Sequence, residues 1–423
     1  MGQELRKVQP GVPNVRIARW RRADWLYRLN RLLLYLTMLS YVPLILACVG
    51  GILYGAYSLT ALLVRYWMGG VHAAWGAGVF LVDLFALGAT LLLLCGLLPL
   101  FFREVDTLTP DHRLDLRQHP RLLALITRLC RRLDLSAPEA CYLWPLDDTG
   151  IADLRVRSED GRTTSKIRTL VLGAAFVVQT RIDEYATLVC HELAHAATGD
   201  TRVHKITKRF FTSLATQVAA FSENEPEERP GILQSLVYYL LLGYFHLFAL
   251  LHEADARYRE LRADRIAAEI CGPQNVRNVL IKTHLVGQLD ELSVSRLWQQ
   301  FCERGQDIRN LYREHRRRWE QLPARRRQKA ESEMFMQTTS VWHSHPCLAE
   351  RVRNLADVET HELTAAAPAT TLFCHWEVLE ERMTQKLMTA GREQYQAWLR
   401  QLDIEARGGR GGPLADGDTP WIW

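Results

Sequence analysis

Thr187-Leu188-Val189-Cys190-His191-Glu192-Leu193-Ala194-His195-Ala196-Ala197 is the stretch on which the reading of this chain turns. Residues four apart on an α-helix share a face, so the imidazoles of His191 and His195 can hold one zinc ion while Glu192 points toward the water beside it. The flanking Leu188, Val189, Leu193, Ala194, Ala196 and Ala197 make a helix that can be buried, and burial gives a metal site its rigidity. Cys190 adjoins the motif, but the helix turns it off the ligand face, so it reads as a packing residue. The bland alternative is a core helix carrying two incidental histidines.

A third protein ligand is required, and its position separates the known solutions. The extended motif would place glycine three residues after His195 and a third histidine three further on, but those positions are Thr198 and Thr201, so that arrangement is excluded. The other solution takes a carboxylate from a later helix. Arg257-Tyr-Arg-Glu260-Leu-Arg-Ala-Asp264 supplies Glu260 in a helical stretch that continues through Ile266, Ala267 and Ala268. Asp264, one turn on, can accept a hydrogen bond from a ligand imidazole and fix its tautomer. The same charges also read as surface groups paired with neighbouring arginines. On residues alone both readings stand.

Taken together, three motifs converge on a family. His191-Glu-Leu-Ala-His195 followed by Gly199-Asp200, then Arg257-x-x-Glu260-x-x-Ala263-Asp264, then Ser344-His345-Pro346 with Arg351 five residues after the proline, resembles the HtpX and CAAX prenyl protease family of membrane zinc metallopeptidases. The resemblance runs from about His119 to Leu355. It implies a zincin-like metallopeptidase domain of gluzincin type, mainly α with a small β-sheet, attached to N-terminal transmembrane helices. It also implies one zinc ion per chain on His191, His195 and Glu260, with Glu192 as general base and Asp264 behind the ligands. His345 and Arg351 would flank the catalytic centre, His345 as the donor to the oxyanion. The implied activity is that of an endopeptidase on protein or peptide substrates, and relatives point equally to prenylated-peptide processing and to quality control of membrane proteins. The Asn-Ala pair that such enzymes often carry on a substrate-binding edge strand has no clear counterpart. A rival from another class is a catalytically silent membrane scaffold with a structural zinc site, against which the complete ligand set and its glutamate argue.

The chain has 423 residues, and its 48% hydrophobic content is ample for a buried core within about two or three domains. Nine cysteines, an odd number without a Cys-x-x-Cys pair, suggest reduced thiols and a cytosol-facing body. A net charge of +5 does not by itself imply nucleic acid. Arg309 to Lys329 is strongly basic. Such runs are usually solvated faces, but beside a membrane they suit anionic lipid headgroups at ~1 kcal/mol per residue. Only Tyr312 and Trp319 interleave with them, so nucleic acid is not expected. Nothing in the sequence sets the oligomeric state.

Leu32 to Val64 holds no charged residue, and from Gly78 to Phe102 only Asp83 interrupts an apolar run, so each exceeds the roughly 20 residues that cross a bilayer. Two transmembrane helices are predicted, the first bent or tilted at Pro43 and Gly50-Gly51 because a straight one would be about 50 Å long. Asp83 reads equally as a functional carboxylate or as a polar contact within the helix pair. Arg16, Arg19, Arg21, Arg22, Arg28 and Arg31 precede the first run, whereas the connection 66–77 has no lysine or arginine, which predicts a cytoplasmic amino terminus. Arg103, Arg113, Arg117 and Arg121 then place the zinc motif on the same side. The expected location is the cytoplasmic (inner) membrane of a bacterium.

The expected organisation is a basic segment 1–31, membrane helices 32–102, a peptidase domain 103–360, a helical region 361–406 and a tail 407–423. Within the domain, an insert 205–256 carries two apolar stretches around an acidic tip. It reads either as a membrane hairpin or as an amphipathic hairpin packed on the domain, with His246 and His252 as core or helix-face residues. Leu122 to Leu133 recur at helical spacing, while Cys141–Trp144, Ile151–Val156 and Ile167–Val178 are strand candidates, with Asp160-Gly161 as a hairpin turn. Thr169–Leu172 is the candidate edge on which an extended substrate would lie, an interior strand being the other reading.

Overall fold

The computed structural model describes residues 25–68, 107–108, 113–145, 149–157, 164–222, 232–285, 309–360, 362–389 and 392. Helix α1 (Trp25–Met68) carries the first apolar run with Pro43 inside it. Helix α2 (Pro120–Arg132) has proline in its first turn, where a missing N–H costs nothing, and buries Leu122, Leu125, Ile126 and Leu129 along one face.

Four strands make one sheet: β1 (Thr107–Leu108), β2 (Ala140–Trp144), β3 (Gly150–Arg157) and β4 (Thr164–Gly173), in the order β1-β3-β4-β2. β3 and β4 are antiparallel, with Gly150 opposite Val171 and Arg157 opposite Thr164, while β1 runs parallel to β3 and β2 parallel to β4. The turn expected at Asp160-Gly161 lies outside the described residues. Two expectations need correction. Thr169–Leu172 is an interior strand rather than an edge, because β2 and β3 take both of its sides; Leu170 and Leu172 are fully buried. The strand expected over Ile167–Val178 ends at Gly173, and Ala174–Gln179 forms helix α3, all of it buried. A short, wholly apolar run has no polar face to reveal its period.

Helix α4 (Ile182–Ala197) carries the histidine motif. Its first turn holds Asp183 and Glu184, acids that suit the positive end of a helix dipole, and Glu184 accepts from the Arg181 amide at 2.9 Å. The C-terminal segment 363–369 clamps the same end: the Ile182 amide donates to Ala367 O at 2.8 Å and Ala369 N to Thr180 O at 2.9 Å.

Helices α5 (Asp200–Ser222) and α6 (Ile232–Cys271) follow, then α7 (273–285), α8 (Leu311–Gln321), α9 (Ala324–Met336), α10 (Leu348–Arg353) and α11 (376–389). The basic run thus falls on α8 and α9, parted at Pro323. α6 is continuous from the second apolar stretch of the insert to Glu260 and Asp264, so insert and ligand helix are one rod. Its first half packs with α5 and α1 around Leu34, Tyr41, Phe210, Leu214 and Phe248. His252 is buried there, stacked on Phe211 at 5.1 Å, and His246 is exposed on the helix face. The second half of α6 packs against α4 in the main core, which α2 and the sheet also line, and Ala194, Ala197, Ala263, Ala267 and Ala268 let the two ligand helices approach closely.

Among the described residues no helix is long and apolar enough to cross a membrane. The second apolar run, with Asp83, lies outside them, as do residues 1–24, the acidic tip 223–231 and the tail from 393.

Candidate metal centre

Helix α4 presents His191 and His195 on one face, and α6 presents Glu260 and Asp264, also four residues apart, on the face opposite. The histidine rings meet edge to face, with Nε2 atoms 3.3 Å apart. The Glu260 carboxylate closes the triangle, Oε2 lying 3.5 Å from His191 Nε2 and Oε1 3.4 Å from His195 Nε2. These three side chains, whose ligand atoms all lie within 4.8 Å of one another, are the one such group among the described residues that could hold a metal ion. Glu192 stands beside them on α4, only partly buried.

The second nitrogen of each ring faces a buried aspartate. His191 Nδ1 is 3.1 Å from Asp264 Oδ1, and Arg351 of α10 grips that carboxylate with two bonds of 2.7 Å. Arg351 also lies 3.3 Å from Glu260 Oε2. Asn354 ties α10 to α6 through a 2.8 Å bond to Leu261 O. On the other side Asp200 faces His195 Nδ1 at 3.8 Å and receives Arg262 Nη2 at 2.6 Å. Sequence reasoning quoted Gly199-Asp200 but gave Asp200 no role and missed Arg262. The signal was Gly199: its φ of +79° turns the chain back sharply after α4, so that Asp200, in the first turn of α5, returns to the ring.

His345 reaches the site from the loop before α10. Arg257 Nη1 donates to Val341 O and His343 O at 2.9 and 2.8 Å, pinning that loop on α6. His345 Nδ1 then lies 3.3 Å from Glu260 Oε2 with its side chain 67% exposed, open to whatever enters. Cys190 faces away from the ligands and is wholly buried, in hydrogen-bonding contact with Cys271 of α6.

The electrostatics set the two glutamates apart. Burial pushes the Glu192 carboxyl up, with Glu260 adding to the rise and the two histidines and Arg351 opposing it. Burial also works against a charged Glu260, but hydrogen bonds from His191, His195 and His345 and the Arg351 charge hold it well below the usual carboxylate range. Burial would drive both imidazoles neutral; instead the Asp264 and Glu260 carboxylates push His191 up to about 10, and those of Asp200 and Glu260 push His195 up to about 9.

Raised imidazole values have a signed consequence. Both folded-state values lie above the ordinary 6.5, so protonation contributes stability that is fully present below about 6.5 and is lost as the pH rises through 9 and 10. Chelator-stripped protein is therefore expected to lose thermal stability between about pH 8 and 11. A melting temperature unchanged over that range would contradict the charge arrangement described.

The profile of peptidase family M48 matches residues 166–359, which hold the sheet's last strand, both ligand helices and the Arg351 helix. "Protease HtpX homolog" from Fusobacterium nucleatum is 25% identical over 190 residues, 42% of this chain and 55% of that protein. "Protease HtpX homolog 2" from Methanosarcina mazei is 29% identical over 171 residues, 38% of this chain and 54% of that protein. The chain thus spans about half the length of the curated relatives it matches. No solved structure gives a significant match. With these matches laid over the motifs, residues 166–359 are similar to the HtpX-like proteases of peptidase family M48.

Proposed function

We propose that the protein is a membrane-anchored, zinc-dependent endopeptidase. The observation that carries the reading is the convergence of His191, His195 and Glu260 within 4.8 Å beside Glu192. The donor set suits zinc: its spacings of 3.3 to 3.5 Å equal the separation of about 3.4 Å between ligands of a tetrahedral zinc with ~2.1 Å bonds. Two imidazoles and one carboxylate also leave a fourth position free, as hydrolytic sites require.

When bound there, zinc would supply Lewis acidity, polarising a substrate carbonyl and lowering the pKa of a water toward ~7. The rest falls to the chain. Glu192, with its affinity for protons raised by burial, accepts the proton of the attacking water and passes it to the leaving amine. Glu260 stays charged as a ligand. His345, exposed at the rim, is placed to donate to the tetrahedral oxyanion, a contribution of ~3 kcal/mol per donor in comparable sites. Arg351 acts through others, holding Asp264 and with it the His191 tautomer.

Substrate would add as an extended strand to β3, the strand that packs against α4. β1 pairs only with Arg155 and Val156, so among the described residues the adjoining side of Gly150–Leu154 carries no strand partner. This edge replaces the β4 candidate.

Membrane attachment rests on the two long apolar runs and on the side chains that α1 and α6 leave uncovered, among them Leu32, Leu36, Leu39, Tyr239, Leu240 and Leu247. The charge flanks favour a bacterial inner membrane with the amino terminus and the site in the cytoplasm. Exposed Arg309, Arg313, Arg325, Arg326 and Lys329 suit anionic headgroups.

The test pairs zinc analysis of purified protein with cleavage of casein. The reading expects bound zinc and cleavage abolished by chelator and restored by zinc. Zinc without chelator-sensitive cleavage would favour a scaffold instead.

A further inference from the structure

Asp200 is 1% exposed and belongs to no ligand set, yet groups from three helices and a turn converge on its carboxylate. His195 Nδ1 of α4 faces Oδ2 at 3.8 Å, an electrostatic rather than a hydrogen-bonded contact. Thr198, in the turn after α4, donates its hydroxyl to Oδ2 at 2.7 Å, and Arg262 of α6 binds the same oxygen at 2.6 Å. The fourth group comes from the far end of the chain: Arg31 of α1 donates through Nη2 to Oδ1 at 3.4 Å.

Arg31 is built into this position. Its Nε donates to Asp255 Oδ1 of α6 at 3.3 Å, and its guanidinium lies 4.7 Å over the Tyr27 ring, which stacks at 3.9 Å on Tyr258 of α6. A planar fork that meets two buried carboxylates and a ring face at once fixes direction as well as charge. A buried carboxylate robbed of one of the cations that fix it shifts, and the shift alters what the His195 Nδ1 hydrogen faces. A ligand imidazole is held to its metal by the partner of its other nitrogen, and loss of such a partner typically costs 10–100-fold in affinity.

We propose that Arg31 is a positioning residue for the metal centre: from the N-terminal helix it holds the Asp200 carboxylate that orients His195, so that metal retention depends on this one contact across the interface with α6. The two sides differ in where the cations come from: Asp264 is gripped at both oxygens by Arg351 of α10, whereas Asp200 shares its oxygens between Arg262 of α6 and Arg31 of the N-terminal helix. The inference rests on the metal-dependent reading above.

The experiment uses the full chain purified in detergent, loaded with zinc and transferred to a chromophoric chelator. Arg31→Met should release zinc about tenfold faster than the unaltered protein. Arg31→Lys, which keeps the charge, should fall between the two, and it serves alone if the methionine variant does not fold. Asn30→Ala removes only a 3.0 Å bond to Leu251 O in the same interface and should release zinc at the unaltered rate. With cobalt in place of zinc, the visible absorption bands should shift in Arg31→Met and not in Asn30→Ala. Unaltered release from Arg31→Met, equal loss from Asn30→Ala, or unshifted cobalt bands in Arg31→Met would each overturn the inference while leaving the metal reading intact. Unaltered protein that takes up no metal would overturn both.

Discussion

Glu192→Gln is expected to bind zinc like the unaltered protein and to lose hydrolysis by roughly 10²–10⁴-fold, the contribution a positioned general base makes. Glutamine keeps the shape of the side chain, so the helix and the two imidazoles beside it stay in place. What it removes is the proton acceptor, because an amide cannot take the proton of the attacking water or return it to the amine. The raised carboxyl of Glu192 makes this the group suited to that transfer, since Glu260 is held charged by three histidines and Arg351. Casein cleavage and zinc content measured on one preparation decide the matter. Undiminished cleavage would refute the assignment, and the same variant expressed in cells should accumulate the uncleaved natural substrates.

Glu260→Ala acts on the metal. Its carboxylate spans both histidines, 3.5 Å from one and 3.4 Å from the other, and no other acidic or histidine side chain completes a metal-holding group with them among the described residues. The variant should lose affinity for zinc by more than the roughly 10–100-fold that follows removal of an outer partner. It should also lose an anion that helps Asp264 and Asp200 keep the two rings protonated in stripped protein, so the alkaline fall in thermal stability should shrink. Elemental analysis after dialysis reads the first effect. Unchanged zinc occupancy would reassign the third ligand.

Legibility followed the distance over which each feature acts. His191, Glu192 and His195 lie within two turns of one helix, and their spacing alone discloses a shared face. Glu260 and Asp264 show the same spacing, but nothing local says that their face meets the other; only the order of motifs tied the two helices together. Asp200 was visible as a residue and not as a partner, because its role depends on the Gly199 turn and on arginines from α6 and α1. The sheet was half readable. Period and turn residues located β2, β3 and the start of β4, but an interior strand and an edge strand of equal hydrophobicity look alike, and the apolar run past Gly173 changed to helix without a polar residue to mark it.

The central claim is that two imidazoles and one carboxylate from crossing helices bind a single zinc ion. X-ray absorption at the zinc edge of the purified full chain tests it most directly. The account expects a light-atom shell at about 2.0–2.1 Å with multiple-scattering features of two histidines and no sulfur. A sulfur shell near 2.3 Å, a single histidine, or a spectrum unchanged in Glu260→Ala would contradict it.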